Sequence, residues 1–279
     1  MTVTIIGTGL IGCSMAYRLK ETGFAEKIIG VDNNEQHLKT ALQLGWIDEA
    51  MPLDDAIGQS GLMIIAIPVD ATAVIIPAIL SKMDKQVLMD VGSTKAIICQ
   101  SVTEDPKRGR YVATHPMWGT EKDGPEAVVK DAFKGRVAVI CEKERTDADA
   151  SLMVEQLYKK MGMQLVYMDA DVHDVHAAYV SHISHIASYA LSLTVLEKEK
   201  EEDTIFELAS GGFESTVRLA KSNPAMWVPI FMQNKENVLD VLNEHIAQLR
   251  KIKSCLEKEN FGYLKELIEN ANKIKRILK

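Results

Sequence analysis

Up to about residue 168 the chain alternates short, nearly continuous apolar runs with longer segments of helical period. The runs are Val3–Ile6, Lys27–Asp32, Leu62–Ile67, Gln86–Val91, Arg110–Thr114, Arg136–Cys141 and Gln164–Met168. Apolar strands without polar alternation, separated by helices, predict a mostly parallel sheet covered on both faces. After Asp169 the strand pattern stops, and 171–200, 203–221, 225–257 and 260–278 read as helices, interrupted at Gly211-Gly212 and Asn223-Pro224. The expected fold class is therefore α/β: a Rossmann-type dinucleotide-binding domain over 1–169, then an all-helical domain over 170–279. In that second part Leu239, Leu242, Ile246, Leu249 and Leu256 repeat at three- and four-residue steps, as do Leu264, Leu267, Ala271, Ile274 and Leu278. Such stripes serve either an internal core or a subunit interface. A helical domain with little sheet to lean on favours the interface, and a homodimer through the helical domain is expected.

Composition narrows the function classes. Lys and Arg total 32 against 39 Asp and Glu, a net charge of −7 without a basic stripe. Nucleic acid is excluded as a main partner, because phosphate binding needs clustered positive charge. The longest late stretch free of Asp, Glu, Lys and Arg, Val175–Leu196, holds three histidines and four serines, so it reads as a packed helix rather than a membrane span. Cys13, Cys99, Cys141 and Cys255 lie far apart with no C-x-x-C pair, the usage of reduced thiols. With a first strand starting at once and no basic leader pattern, a cytoplasmic protein is expected.

Gly7-Thr8-Gly9-Leu10-Ile11-Gly12 follows the first strand and opens a helix. Its three glycines suit a tight turn, close backbone approach to a pyrophosphate, and helix–strand packing, with the helix N-terminus facing the phosphates. Asp32 closes the second strand at the distance from the motif where a carboxylate can accept ribose hydroxyls. The same carboxylate repels a 2′-phosphate and Asn33-Asn34 supply no cation, so NAD is expected over NADP. Pro68, after the third apolar run, completes the candidate cofactor contacts.

Three polar groups fall beyond the carboxyl ends of the strands, where the nicotinamide of such a fold lies. Asp90-Val91-Gly92-Ser93-Thr94-Lys95 runs from a strand through a glycine turn to a helix start, and Ser93 or Thr94 there can be a plain N-cap. His115, fixed before Pro116 at a strand end, is a candidate general base with an ordinary pKa near neutrality. Four of the seven histidines then cluster as His173, His176, His182 and His185. At 100° per residue the first pair and the second point to roughly opposite helix faces. That argues against a shared metal ion, and no metal is expected.

Taken in order, Gly7 to Gly12, DVGS-x-K at 90–95, HPM-x-G-x-E at 115–121, HD-x6-SH-x-x-H at 173–185, GGF-x4-R at 211–218 and NPAMW-x-x-IF-x-x-N at 223–234 resemble the prephenate/arogenate dehydrogenases of tyrosine biosynthesis. Two departures stand out: Ser184 replaces a proline of the family's helix motif, and in Phe213-Glu214-Ser215 a serine replaces the acid of the family's F-x-D before the arginine. The resemblance implies NAD-dependent oxidative decarboxylation, with His115 as base and Ser93 orienting its imidazole. It places Arg218 on the ring carboxylate and His185 on the substrate side chain, with Ser181 and His182 nearby and Glu121 at the mouth. Thr120, Gly211 and Trp227 complete the candidate substrate contacts. Prephenate and arogenate, which differ by keto against amino at one carbon, both stay open. Outside that family, a β-hydroxyacid dehydrogenase would carry a lysine on the first helix after the boundary, and 171–197 has none. A non-catalytic NAD-sensing module would leave the ordered His, Ser and Arg set without a role.

Overall fold

The computed structural model describes residues 1–201 and 204–277. Eight strands form one sheet: β1 (Thr2–Ile6), β2 (Lys27–Val31), β3 (Glu49–Ala50), β4 (Leu62–Ile65), β5 (Val87–Asp90), β6 (Tyr111–Pro116), β7 (Val137–Cys141) and β8 (Gln164–Met168). Their order is β3-β2-β1-β4-β5-β6-β7-β8. Every pair is parallel except β6 with β7, where His115 stands opposite Val139. The two-residue β3 has no counterpart in the apolar pattern, because an edge strand of that length buries too little to need one. Between strands run α1 (Leu10–Glu21), α2 (Glu35–Gln43), α3 (Leu53–Ile57), α4 (Val69–Lys82), α5 (Ala96–Gln100) and α6 (Ala148–Lys160).

Strand alternation sends Val3, Ile5, Ile64 and Met89 into one core with Met15, Leu19, Val154 and Leu157 of α1 and α6. The intervening Ile6, Met63, Ile65 and Leu88 face a second core with Ile76 and Leu80 of α4 and Ile98 of α5. Past β8 the chain is helical: α7 (Ala170–Ala177), a π turn (Ala178–His182), α8 (Ile183–Glu199), α9 (Gly211–Val217), α10 (Pro224–Gln233), α11 (Lys235–Glu257) and α12 (Phe261–Ala271). Ala170 of α7 and Trp227 and Ile230 of α10 join the second core. The chain consequently separates into compact units at Met1–Asn234 and Lys235–Lys279, well beyond the change from strand to helix near 169. The predicted helix 225–257 is two helices meeting at Asn234. The predicted helix from 203 begins at a residue outside the described ones, as does Leu278 of the second apolar stripe, and its described part is short α and 3-10 segments. Among the described residues no helix is long and apolar enough to cross a membrane.

Candidate active site

The glycine turn after β1 is locked from both sides. Gly7 has a φ of 98°, and a Cβ there would lie 2.4 Å from the Ala66 carbonyl oxygen. At Gly12 a Cβ would lie 2.0 Å from the Gly7 carbonyl oxygen, so the start of α1 can sit against the turn only with glycine in place. Gly9 differs: a Cβ there meets nothing within 4 Å, and the backbone of the helix start faces open space. No acidic residue occupies the first turn of α1, and Gly9 offers no side-chain cap, so the uncapped N–H groups suit an anion. Asp32 ties this loop to the end of β2, its Oδ2 accepting from the Thr8 N–H at 2.7 Å and the Thr8 hydroxyl at 2.9 Å. Its Oδ1 accepts from the Asn34 N–H at 2.8 Å and keeps acceptor capacity for a ribose hydroxyl. Leu10 is buried, Ile11 half-buried, and Pro68 is exposed immediately before α4. These residues fit a dinucleotide.

Beyond the carboxyl end of β5 the polar residues form one connected network. Asp90 and Lys95 are a fully buried ion pair. A buried pair is tolerated when its remaining groups are bonded, and here Asp90 also accepts from the Tyr111 hydroxyl at 2.6 Å and the Gly92 N–H at 2.8 Å. The plain N-cap open to Ser93 or Thr94 is not made among the described residues. The Asp174 carboxylate of α7 caps α5 instead, accepting from the Lys95 N–H at 2.8 Å and the Ala96 N–H at 2.9 Å. Thr94 bonds Gln233 at 2.6 Å.

His115, 7% exposed, has its Nδ1 2.8 Å from His173 Nε2, and His173 Nδ1 lies 2.8 Å from Asp174 Oδ1. Ser93, expected on this imidazole, is half-buried and makes no hydrogen bond to it among the described residues; the position at Nδ1 belongs to His173. Burial, followed by the neighbouring His173, Lys95 and His182, holds His115 well below its ordinary 6.5.

The four clustered histidines do not divide into the two opposed pairs that ideal helix geometry predicts. His173, His182 and His185 are buried and His176 is exposed. The π turn over Ala178–His182 is the cause: each of its residues advances by less than 100°, which brings His182 toward the face that carries His173. Asn234 secures the arrangement, its amide donating to the Asp174 carbonyl at 2.7 Å and to His182 Nδ1 at 3.1 Å. His182 therefore carries its proton on Nε2, a buried nitrogen without a partner among the described residues, and the Trp227 indole N–H is likewise unpartnered among them. No group of His, Cys, Asp and Glu among the described residues is arranged to hold a metal ion.

His185 stacks on Trp227 with ring centroids 3.4 Å apart, and its Nδ1 donates to the Ser181 carbonyl at 3.2 Å. Both His182 and His185 are pushed down to about 4 by burial first, with Arg218 contributing at His185. Arg218, half exposed just after α9, donates to Glu121 at 2.6 Å. A guanidinium has five N–H donors, and the Glu121 contact uses one of them. The Arg218 partner and its own backbone N–H hold the Glu121 carboxyl below the usual range, the backbone bond first. Thr120 is half-buried in the same loop and Gly211 exposed at the start of α9. From sequence, His173, Asp174 and Asn234 stood inside quoted motifs without a role; a polar pair at the start of a helix and an asparagine ending an apolar one were the signals.

Residues 15–167 match the family model described as prephenate dehydrogenase, nucleotide-binding domain, and residues 169–270 the one described as prephenate dehydrogenase, dimerization domain. The chain belongs to the prephenate dehydrogenase family. It is 32% identical to a prephenate dehydrogenase of Bacillus subtilis over 95% of this chain and 73% of that protein. It is 28% identical to a cyclohexadienyl dehydrogenase of Zymomonas mobilis over 99% and 96%. A prephenate dehydrogenase from A. aeolicus, solved with hydroxyphenyl propionate and NAD+, superposes with a TM-score of 0.90 at 30% identity, covering 99% and 97% of the two chains.

Proposed function

We propose that this member of the prephenate dehydrogenase family oxidises prephenate with NAD+ and releases 4-hydroxyphenylpyruvate and CO2. The carrying observation is that buried His115 at the end of β6 neighbours His182, that His182 and His185 both pack on Trp227, and that Arg218 lies near enough to act on His185. Gly7–Gly12 and Asp32 would hold NAD+, which would supply the acceptor for the hydride of the ring carbinol carbon. His115 Nε2 takes the hydroxyl proton. Loss of the ring carboxylate as CO2 leaves a phenolate, and His115 returns the proton to that same oxygen, so the imidazole ends as it began. Arg218 holds the ring carboxylate by charge-assisted bonds. The unpartnered N–H groups of His182 and Trp227 offer donors to the substrate's oxygens, and Trp227 backs the His185 ring. Ser181, Thr120, Gly211 and Glu121 border this patch in our reading. The apolar residues left exposed on α11 and α12 support a homodimer, and four free buried thiols support a cytoplasmic setting.

The test is NADH formation at 340 nm from prephenate, with arogenate in parallel. His115→Asn should lower kcat by about 10²–10⁴ with KM for prephenate within a few-fold. Arg218→Ala should chiefly raise that KM, by roughly 10–100-fold. No NADH from prephenate, or near wild-type kcat in His115→Asn, would overturn the reading.

A further inference from the structure

A general base must present a lone pair to its substrate, and a neutral imidazole has only one. Which nitrogen of His115 bears it follows from the groups behind the ring. Asp174 accepts from two backbone N–H groups of the α5 start, and its Oδ1 also lies 2.8 Å from His173 Nδ1. A carboxylate held by three donors is itself an acceptor only, so His173 Nδ1 carries the proton. The Nε2 of neutral His173 is then a lone pair, and it sits 2.8 Å from His115 Nδ1. That contact is a hydrogen bond only with the proton on His115 Nδ1. The remaining nitrogen, Nε2, is the lone pair.

We propose that His173 and Asp174 are positioning residues that hold His115 in its Nδ1–H tautomer and fix its ring, leaving Nε2 as the base. The inference rests on the reading of His115 as the proton acceptor. Asp174 is fastened by the backbone of α5 rather than by a mobile side chain, and Asn234 clamps its carbonyl at 2.7 Å. The two rings and the carboxylate therefore form a rigid row running from β6 to α7. When His115 takes the substrate proton, its Nδ1–H already points at an acceptor that is itself bonded to a carboxylate. The transient positive charge is stabilised without a second proton moving. A histidine–carboxylate pair performs the same orienting work in hydrolases of unrelated fold, where the wrong tautomer is inactive.

Long-range 1H–15N correlation spectra of histidine-labelled protein read the tautomer directly, with His115→Asn assigning the ring. His115 should show a protonated Nδ1 and an unprotonated Nε2 at pH 8. His173→Leu should give a mixture of tautomers and about 10²-fold lower kcat, with KM for NAD+ within about twofold. His173→Gln, whose side-chain carbonyl can accept from His115 Nδ1, should recover tenfold or more of that loss. A protonated Nε2 in the wild type overturns the proposal, as does unchanged kcat in His173→Leu or an equal loss in the Gln variant. Should the Leu variant not fold, the wild-type spectrum and the Gln variant still decide. The spectra need no substrate, so a wrong tautomer is distinguishable from an enzyme that fails to oxidise prephenate.

Discussion

A neutral imidazole that is 7% exposed beside two further histidines and the Lys95–Asp90 pair loses more by protonation than one in water. The base is competent when neutral, so acid must travel further before it is lost. The free enzyme's acid limb, read in kcat/KM, should lie below pH 6.5, leaving the profile level between about pH 8 and 6.5. The limb should vanish in His115→Asn; a half-maximum near pH 7 that depends on His115 would contradict the burial argument. Stability moves in the same direction. His182 and His185, at about 4 in the fold, charge more readily unfolded, so their contribution is complete above about 6.5 and drains as pH falls toward 4. Tm recorded across the profile separates the two effects. The sequence alone put His115 at a strand end and assigned it base chemistry, because residue type and position are local properties. Its lowered pKa and its His173 partner were not legible, since both depend on His173, Lys95 and His182 arriving from distant segments.

At the scale of elements, the helical run after β8 was readable from its period, whereas the π turn was not: no proline or glycine marks Ala178–His182. Yet that turn decides which histidines meet. A π turn accommodates one more residue than an α turn, so removing one should restore the regular period. Val180 is 65% exposed, and its deletion takes no buried contact away. The deletion should rotate His173 and Asp174 relative to His182 and His185, and lower kcat/KM by about 10²-fold or more with helical circular dichroism retained. Retained activity would show that the π turn does not set the site. Capping followed the same logic. Hydroxyls before α5 looked like its cap, but the carboxylate of Asp174 fills that place from a helix seventy-odd residues later in the chain. Local sequence carries no record of such a long-range donor–acceptor match.

For the whole molecule, the two compact units differ in how they bury themselves. Met1–Asn234 holds both cores against one sheet, while the described part of Lys235–Lys279 is chiefly α11 and α12. Of α11 only Val238, Val241 and Cys255 are buried, and α12 buries none of its residues. Leu249, Ile252, Leu256, Phe261 and Ile268 each expose more than two-fifths of their surface. The heptad-like stripes announced apolar faces, and the isolated chain leaves much of them uncovered, which a monomer in water would not tolerate cheaply. A second copy can cover them with an obligate-type interface of roughly 2,000 Å² or more. Light scattering at micromolar concentration should then give twice the chain mass of 30.9 kDa. Leu249→Asp combined with Leu256→Asp places two carboxylates on that face and should shift the protein toward the monomer mass, because burying an unpaired charge costs several kcal/mol. A wild-type mass near 31 kDa, undiminished on further dilution, would mean that the stripes are closed in some way other than by a second copy.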